Sequence, residues 1–141
     1  MAGMDIEEII ENFEFLDEWD DRYRYLIELG GMLPEFDEAL QTPENKVQGC
    51  VSQVWLTASS NGEADPVLSF SGTSDAHLVK GLVAIALAIF SGKRATQIID
   101  IDERTVFDKI ELSEHITPQR SNGLNSLVER IKSHAKQALS A

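Results

Sequence analysis

The fold of this chain is decided by an uncharged stretch in its middle, Gly81-Leu82-Val83-Ala84-Ile85-Ala86-Leu87-Ala88-Ile89-Phe90. The stretch is apolar on nearly every side, which is typical of a helix that is buried all round. It is far too short to cross a bilayer, which takes about 20 apolar residues. We therefore expect a buried central helix that is capped by Ser74 or Asp75 and ends at Gly92-Lys93-Arg94.

The chain before this helix is predicted to form a small antiparallel sheet. Short segments bounded by turn residues indicate its strands, which are Lys46–Gln48, Val54–Ser59 and Val67–Ser71. Asn61-Gly62 is a hairpin signal, because both residues tolerate positive φ. Alternation along the second strand places Ala58 on the inward face. The apolar face of the sheet must be covered, and the central helix is the expected cover.

Helical periodicity predicts the remaining elements. Residues 5–16 form an amphipathic helix with Asp5 as its N-cap, and a second helix ends at Gly30-Gly31. The face of that second helix which turns inward is predicted to carry Trp19, Tyr23, Leu26 and Ile27. The other predicted segments are helical turns around Phe36–Leu40, Thr96–Ile101 and Arg104–Ile110, and a last helix capped by Ser121. The expected architecture is α+β, with helices packed on one three-stranded antiparallel sheet in a single domain, residues 1–141.

The formal charge of −12 is carried by the first third of the chain. Residues 1–45 hold 14 acidic and 2 basic side chains, whereas residues 46–141 are neutral in sum. An acidic surface disfavours nucleic acid and anionic membranes as partners, because both attract positive charge. The simplest interpretation is a solvated acidic face that aids solubility. The acidic residues 1–8 do not fit a signal or transit peptide, so we expect a reducing, cytoplasmic location.

Cys50 is the only cysteine. A single cysteine excludes an internal disulfide framework. It also cannot supply the several thiolates of a typical iron–sulfur or zinc site, so no metal site is predicted. A free cysteine is often a small buried hydrophobe. The alternative is a thiol on a loop between two strands, which is favoured here because the neighbours are polar or turn-forming: Gln48, Gly49, Ser52 and Gln53.

Three blocks and the N-terminal region resemble one known family. The cysteine motif of the SufE family of sulfur-acceptor proteins is similar to Val47-Gln48-Gly49-Cys50-Val51-Ser52-Gln53-Val54-Trp55. The other blocks that resemble this family are Gly72–Leu82, Leu112–Leu124, and Trp19…Tyr23…Ile27-Glu28-Leu29-Gly30 followed by Leu33-Pro34. The resemblance covers nearly the whole chain in the right order, and it implies the SufE/IscU-like form of the α+β fold.

The resemblance implies a function in iron–sulfur cluster assembly. Proteins similar to this one accept sulfur from the persulfide of a PLP-dependent cysteine desulfurase (SufS-type), stimulate that enzyme, and pass the sulfur to a scaffold complex (SufBCD-type). Cys50 would be the acceptor, and PLP would belong to the partner, so this chain would need no cofactor. It would be an activator more than an independent enzyme. The continuation Ser52-Gln53-Val54-Trp55 favours SufE over its CsdE-type paralogue.

Two charged residues are candidates for the surroundings of Cys50. Arg120 is predicted to lie just before the cap of the last helix, where a guanidinium and a helix N-terminus together could stabilise a thiolate or persulfide. Its alternative role is to pair with surface carboxylates. Asp75 is interpreted as a helix cap, and the family match adds that it lies near the loop of Gly49, Cys50, Ser52 and Gln53.

Other functions stay open from the residues alone. The fold could serve as a binding or scaffold module, although related cluster scaffolds use several cysteines. Cys50, His77 and Asp75 could form a hydrolase set, but residues two apart at a helix start do not face each other. His134 is interpreted as a solvated residue on the last helix, and His115 lies in a matching block that could be structural.

Overall fold

A three-stranded antiparallel sheet packs against the apolar helix from the middle of the chain, which confirms the predicted α+β class. The structure is a computed structural model that describes residues 5–49, 52–112 and 116–140. The strands are β1 (Val54–Ser60), β2 (Val67–Ser74) and β3 (Lys93–Arg94). The helices are α1 (Ile6–Phe15), α2 (Trp19–Gly31), α3 (His77–Phe90), α4 (Ala95–Asp100), α5 (Glu103–Lys109) and α6 (Pro118–Ser140), with a 3₁₀ turn at Glu38–Leu40.

The third strand of the sheet is not the one predicted. Residues Lys46–Gln48 contribute only an isolated bridge, between Lys46 and Trp55. The third strand is Lys93–Arg94, which was expected to end the central helix but instead pairs with the start of β2. Gly92 makes this possible, because its φ of 81° turns the chain back and its N–H donates to the Leu68 carbonyl at 2.8 Å.

The predicted hairpin is present with a longer loop. Strands β1 and β2 pair from Val54↔Ser74 to Ser60↔Leu68, and residues 61–66 connect them. The Asn61 side chain organises this loop, since its Oδ1 accepts from the N–H groups of Glu63 at 3.2 Å and Val67 at 3.1 Å. Ala58 is exposed, so the predicted inward face ends before this distal part of β1.

Glycines set the closest approaches of α3 to its neighbours. A Cβ on Gly81 would lie 2.1 Å from the Leu26 carbonyl oxygen of α2, and one on Gly30 would lie 2.8 Å from the Gly81 nitrogen. On the sheet side, a Cβ on Gly72 would lie 2.9 Å from Val83 Cγ1. Helix α3 is therefore in direct backbone contact with α2 and close contact with β2.

This glycine contact corrects the predicted face of α2. The face that turns inward carries Arg22, Leu26, Leu29 and Gly30, whereas Ile27 is 46% exposed. The prediction followed the large apolar side chains. The two helix backbones meet where side chains are smallest, and that contact rotates α2 so that Ile27 faces outward.

Two predicted helix caps are wrong. The N-cap of α3 is Ala76, with no side-chain hydrogen bond, so neither Ser74 nor Asp75 caps this helix. Helix α6 begins at Pro118 rather than after Ser121. The Thr117 hydroxyl accepts from the Arg120 N–H at 3.2 Å, which is the N-cap arrangement, and proline is common in the first helical position.

His134 is not the solvated residue that was predicted. Its ring lies 6.2 Å from the Phe70 ring, between centroids, and its Nε2 atom is buried. Among the described residues, no group forms a hydrogen bond with this nitrogen. Burial lowers the pKa of His134, and the positive charge of Arg130 lowers it further.

Replacing Gly81 with alanine should destabilise the fold. The new methyl group would collide with the α2 backbone, and we expect a loss of about 2–3 kcal/mol in the free energy of unfolding, measured by urea titration. Gly31→Ala is the matched control, because no atom of another element lies within 4 Å of a Cβ there. The control should be neutral or stabilising by up to about 1 kcal/mol. Equal urea midpoints for Gly81→Ala and wild type would contradict the close α2–α3 contact.

His134 should make the stability depend on pH. Its pKa is lower in the folded protein than in the unfolded chain, where it is about 6.5. The unfolded chain therefore binds the proton first, so stability is complete above about pH 6.5 and decreases as the pH falls through the folded pKa. Urea titrations across this range should show a smaller decrease for His134→Gln than for wild type. Parallel pH profiles of the two proteins would show that His134 does not carry this dependence.

Candidate functional site

The site is built from the two sides of Cys50, because Cys50 itself and Val51 lie outside the described residues. Gly49 and Ser52 are the nearest described positions. The segment before the cysteine runs along β1: the Val47 N–H donates to the Val54 carbonyl at 2.8 Å, and the Leu56 N–H donates to the Asn45 carbonyl at 2.9 Å. The chain between Gly49 and Ser52 thus connects two segments that are hydrogen-bonded to each other.

On the C-terminal side, Asp75 holds Gln53. Asp75 Oδ1 accepts from the Gln53 backbone N–H at 3.1 Å, and Oδ2 accepts from Gln53 Nε2 at 3.3 Å. In return, the Gln53 carbonyl accepts from the Asp75 N–H at 3.2 Å and from the Ser74 hydroxyl at 2.7 Å. The carboxylate that was interpreted as a helix cap therefore fixes the backbone three residues after Cys50.

On the N-terminal side, Gly49 lies against α6. Its φ is +89°, a conformation that favours glycine, and a Cβ there would be 2.5 Å from Ser126 Oγ. The backbone conformation thus favours glycine directly before the cysteine, and any larger residue would also have to displace the Ser126 hydroxyl. The sequence prediction missed Ser126, because it is an ordinary polar residue at the edge of the apolar stripe of α6.

A cavity of about 330 Å³ opens beside Ser52. It lies among β1, α3 and the first half of α6, and its walls are mostly apolar. The lining residues are Ser52, Val54, Val79, Leu82, Val83, Thr117, Gln119, Arg120, Gly123, Leu124 and Leu127. The structure therefore brings Ser52 and Arg120, two predicted site residues far apart in sequence, to the same cavity.

Arg120 is the positive charge of this cavity. It lies in the first turn of α6, not before the helix as predicted, and its side chain is exposed. Within the described residues, no hydrogen bond or ion pair engages its guanidinium group. The N-terminus of a helix carries a partial positive charge. An anionic sulfur at this end of the cavity would thus meet a guanidinium and a helix N-terminus together, and positive groups of this kind favour a thiolate.

The other titratable candidates do not join this arrangement. His77 is exposed at the start of α3 and does not line the cavity, and the Asp75 carboxylate is engaged by Gln53. His115 lies outside the described residues. Across the residues that the structure describes, no group of three or more His, Cys, Asp or Glu side chains could hold a metal ion. In the same ranges, every helix is either too short or too polar to cross a bilayer.

Comparisons with known proteins point to one family. The model of the SufE family, described as an Fe-S metabolism associated domain, matches residues 7–135. An uncharacterized SufE-like protein of Rhizobium meliloti (strain 1021) is 60% identical over 137 residues, which cover 96% of this chain and 98% of that protein. A second such protein, from Rhizobium etli, is 56% identical, with 96% and 91% covered. The solution structure of a hypothetical protein from Thermus thermophilus covers both chains completely with a TM-score of 0.76 at 18% identity, which shows a shared fold.

Removing the Asp75 carboxylate should release Gln53. In Asp75→Ala the Gln53 N–H loses a charged acceptor, so its hydrogen exchange, followed by NMR, should accelerate by roughly tenfold or more. Asp65→Ala is the matched control, since Asp65 also accepts from a backbone N–H and a side chain, both of Thr96. The control should accelerate exchange at Thr96 and leave Gln53 unchanged. Unchanged exchange at Gln53 in Asp75→Ala would show that the carboxylate does not hold this segment.

Proposed function

We propose a sulfur-carrier function, starting from the premise that this chain belongs to the SufE family, whose domain is associated with Fe–S metabolism. In this proposal the chain accepts a sulfur atom on Cys50 from the persulfide of a cysteine desulfurase and passes it to an iron–sulfur cluster scaffold. The observation that carries the proposal is a mostly apolar cavity that is lined both by Ser52, two residues after Cys50, and by Arg120.

The transfer is an exchange between a thiolate and a disulfide-like bond. The Cys50 thiolate attacks the outer sulfur of the donor persulfide, and a new S–S bond forms. The S–S bond of the donor breaks, and the donor cysteine leaves as a thiolate with the bonding electron pair. No net oxidation or reduction occurs, because the sulfane sulfur only changes its partner, and any proton on it is exchanged with solvent. The rate depends on the thiolate fraction of Cys50 and on its accessibility.

The surroundings of Cys50 suit this exchange. Apolar walls such as Leu82 and Leu124 would keep water and small thiols away from a persulfide, while Arg120 and the N-terminus of α6 would stabilise its negative charge. Gly49 lies close to α6 at one end of the segment, and Asp75 holds Gln53 at the other end.

The proposed partners follow from the family. The donor is a SufS-type, PLP-dependent desulfurase, and the recipient is a SufBCD-type scaffold complex in the cytoplasm. PLP belongs to the donor, and we propose that this chain needs no cofactor of its own. A CsdE-type activator would share the same chemistry with another desulfurase. The chain would raise the turnover of its partner by removing the persulfide sulfur, rather than act as an independent enzyme.

Intact mass spectrometry tests the proposal directly. Wild type and Cys50→Ser are incubated with the cognate desulfurase and free cysteine, then measured before and after a reductant. The expected result is a gain of one sulfur atom on wild type that the reductant removes, and no gain on Cys50→Ser. The variant is a complete control because it contains no cysteine.

If the desulfurase is active and its turnover is unchanged by wild type, yet no sulfur is gained, the carrier function is wrong. The remaining assignment would then be a binding module in Fe–S metabolism whose cysteine is structural.

A further inference from the structure

The segment that leads into Cys50 rests on one face of α6. Gly49 lies against Ser126, and Arg130 follows one turn later on the same face of the helix. Arg130 Nη1 donates to the Lys46 carbonyl at 3.1 Å, and Nη2 donates to the Glu44 carbonyl at 2.5 Å. Two neighbouring side chains of α6 therefore contact three positions of residues 44–49.

Arg130 occupies the open edge of this segment. The Asn45 carbonyl and the Val47 N–H are used by β1, whereas the Lys46 carbonyl is used by Arg130. A segment at the edge of a sheet leaves such carbonyls without a strand partner. A planar guanidinium offers two N–H donors side by side, so one arginine can satisfy two carbonyls at once. Arg130 thus supplies hydrogen bonds that another strand would otherwise make.

Within the described part of the chain, Arg130 binds the backbone of this segment and not a carboxylate. Its side chain is half-buried, and its hydrogen bonds go to backbone carbonyls. No carboxylate within residues 5–49, 52–112 and 116–140 forms an ion pair with it. Both acceptors, Lys46 and Glu44, precede Arg130 by more than 80 residues in sequence, and they lie four and six residues before Cys50.

We propose that Arg130 is a positioning residue for the sulfur-accepting cysteine. It holds the backbone of Glu44 and Lys46 on α6, and this anchor restricts the access of reagents to Cys50. The inference deepens the proposed function and rests on it for the purpose of the thiol. The positioning itself is a property of the free protein and can be measured without any partner.

The experiment measures the accessibility of the single thiol. The rate of Cys50 alkylation by iodoacetamide is compared for wild type, Arg130→Met and Arg130→Lys. Methionine keeps an apolar stem but has no donor, and we expect alkylation to accelerate by roughly tenfold, in line with the loss of a charge-assisted hydrogen bond. Lysine keeps the charge and can reach one carbonyl, so it should restore most of the wild-type rate.

Local and global effects are separated by hydrogen exchange. In Arg130→Met the amides of Val47 and Leu56, which pair this segment with β1, should exchange faster, while buried amides of α3 should not change. Arg94→Met is the matched control, since Arg94 also donates to a backbone carbonyl, that of Asp65 at 2.9 Å in the hairpin loop. This control should leave Cys50 alkylation at the wild-type rate.

Three results would overturn the positioning role: alkylation of Arg130→Met no faster than that of Arg94→Met, equal acceleration of exchange in α3 and at Val47, or no rescue by lysine. The mass experiment decides the carrier function separately. Wild type that gains no sulfur while Arg130→Met shows faster alkylation would refute the carrier function and leave the positioning role intact. Normal sulfur gain on wild type together with unchanged alkylation of Arg130→Met would refute the positioning role and leave the carrier function intact.

Discussion

The contact between α3 and the α2 backbone is the constraint on which the rest of the structure depends. Because Gly81 has no side chain, the Leu26 carbonyl lies closer to it than any side chain would allow. On the opposite side of α3, Val83 packs against Gly72 for the same reason. With α3 fixed between α2 and the sheet, β2 ends directly before it. Ser74 and Asp75 are then placed beside Gln53. The segment after the cysteine is thus positioned by packing that lies entirely outside the site.

Helix α6 provides the second support, and it combines two functions in one element. Its apolar stripe, including Leu124, Leu127 and Ile131, packs into the core. The polar residues next to this stripe, Ser126 and Arg130, contact the segment before the cysteine. A helix that is fixed by burial is a rigid support for a short connection that must both present and protect a thiol.

Much of this architecture could be predicted from the sequence, because long apolar periodicities are strong signals. The central helix, the stripe of α6 and the β1–β2 hairpin are of this kind. The third strand could not be predicted, since Lys93–Arg94 is two residues long and is a strand only because β2 is beside it. The site was predicted as a cysteine with polar neighbours. Asp75 was placed near the cysteine loop only through the family resemblance, because by its own position it resembles a helix cap. Ser126 and Arg130 escaped prediction, because they resemble surface residues until the helix is packed.

The order in which the chain is synthesised gives the α6 contacts a further consequence. Asp75 leaves the ribosome soon after residues 44–56, so the strand pairing and the Gln53–Asp75 pair can form within one short stretch of nascent chain. Ser126 and Arg130 emerge much later than the segment that they contact. Until they do, the carbonyls of Glu44 and Lys46 have no guanidinium partner. The nascent protein therefore carries its cysteine without this support until α6 has been synthesised, and completing that helix is the step that establishes it.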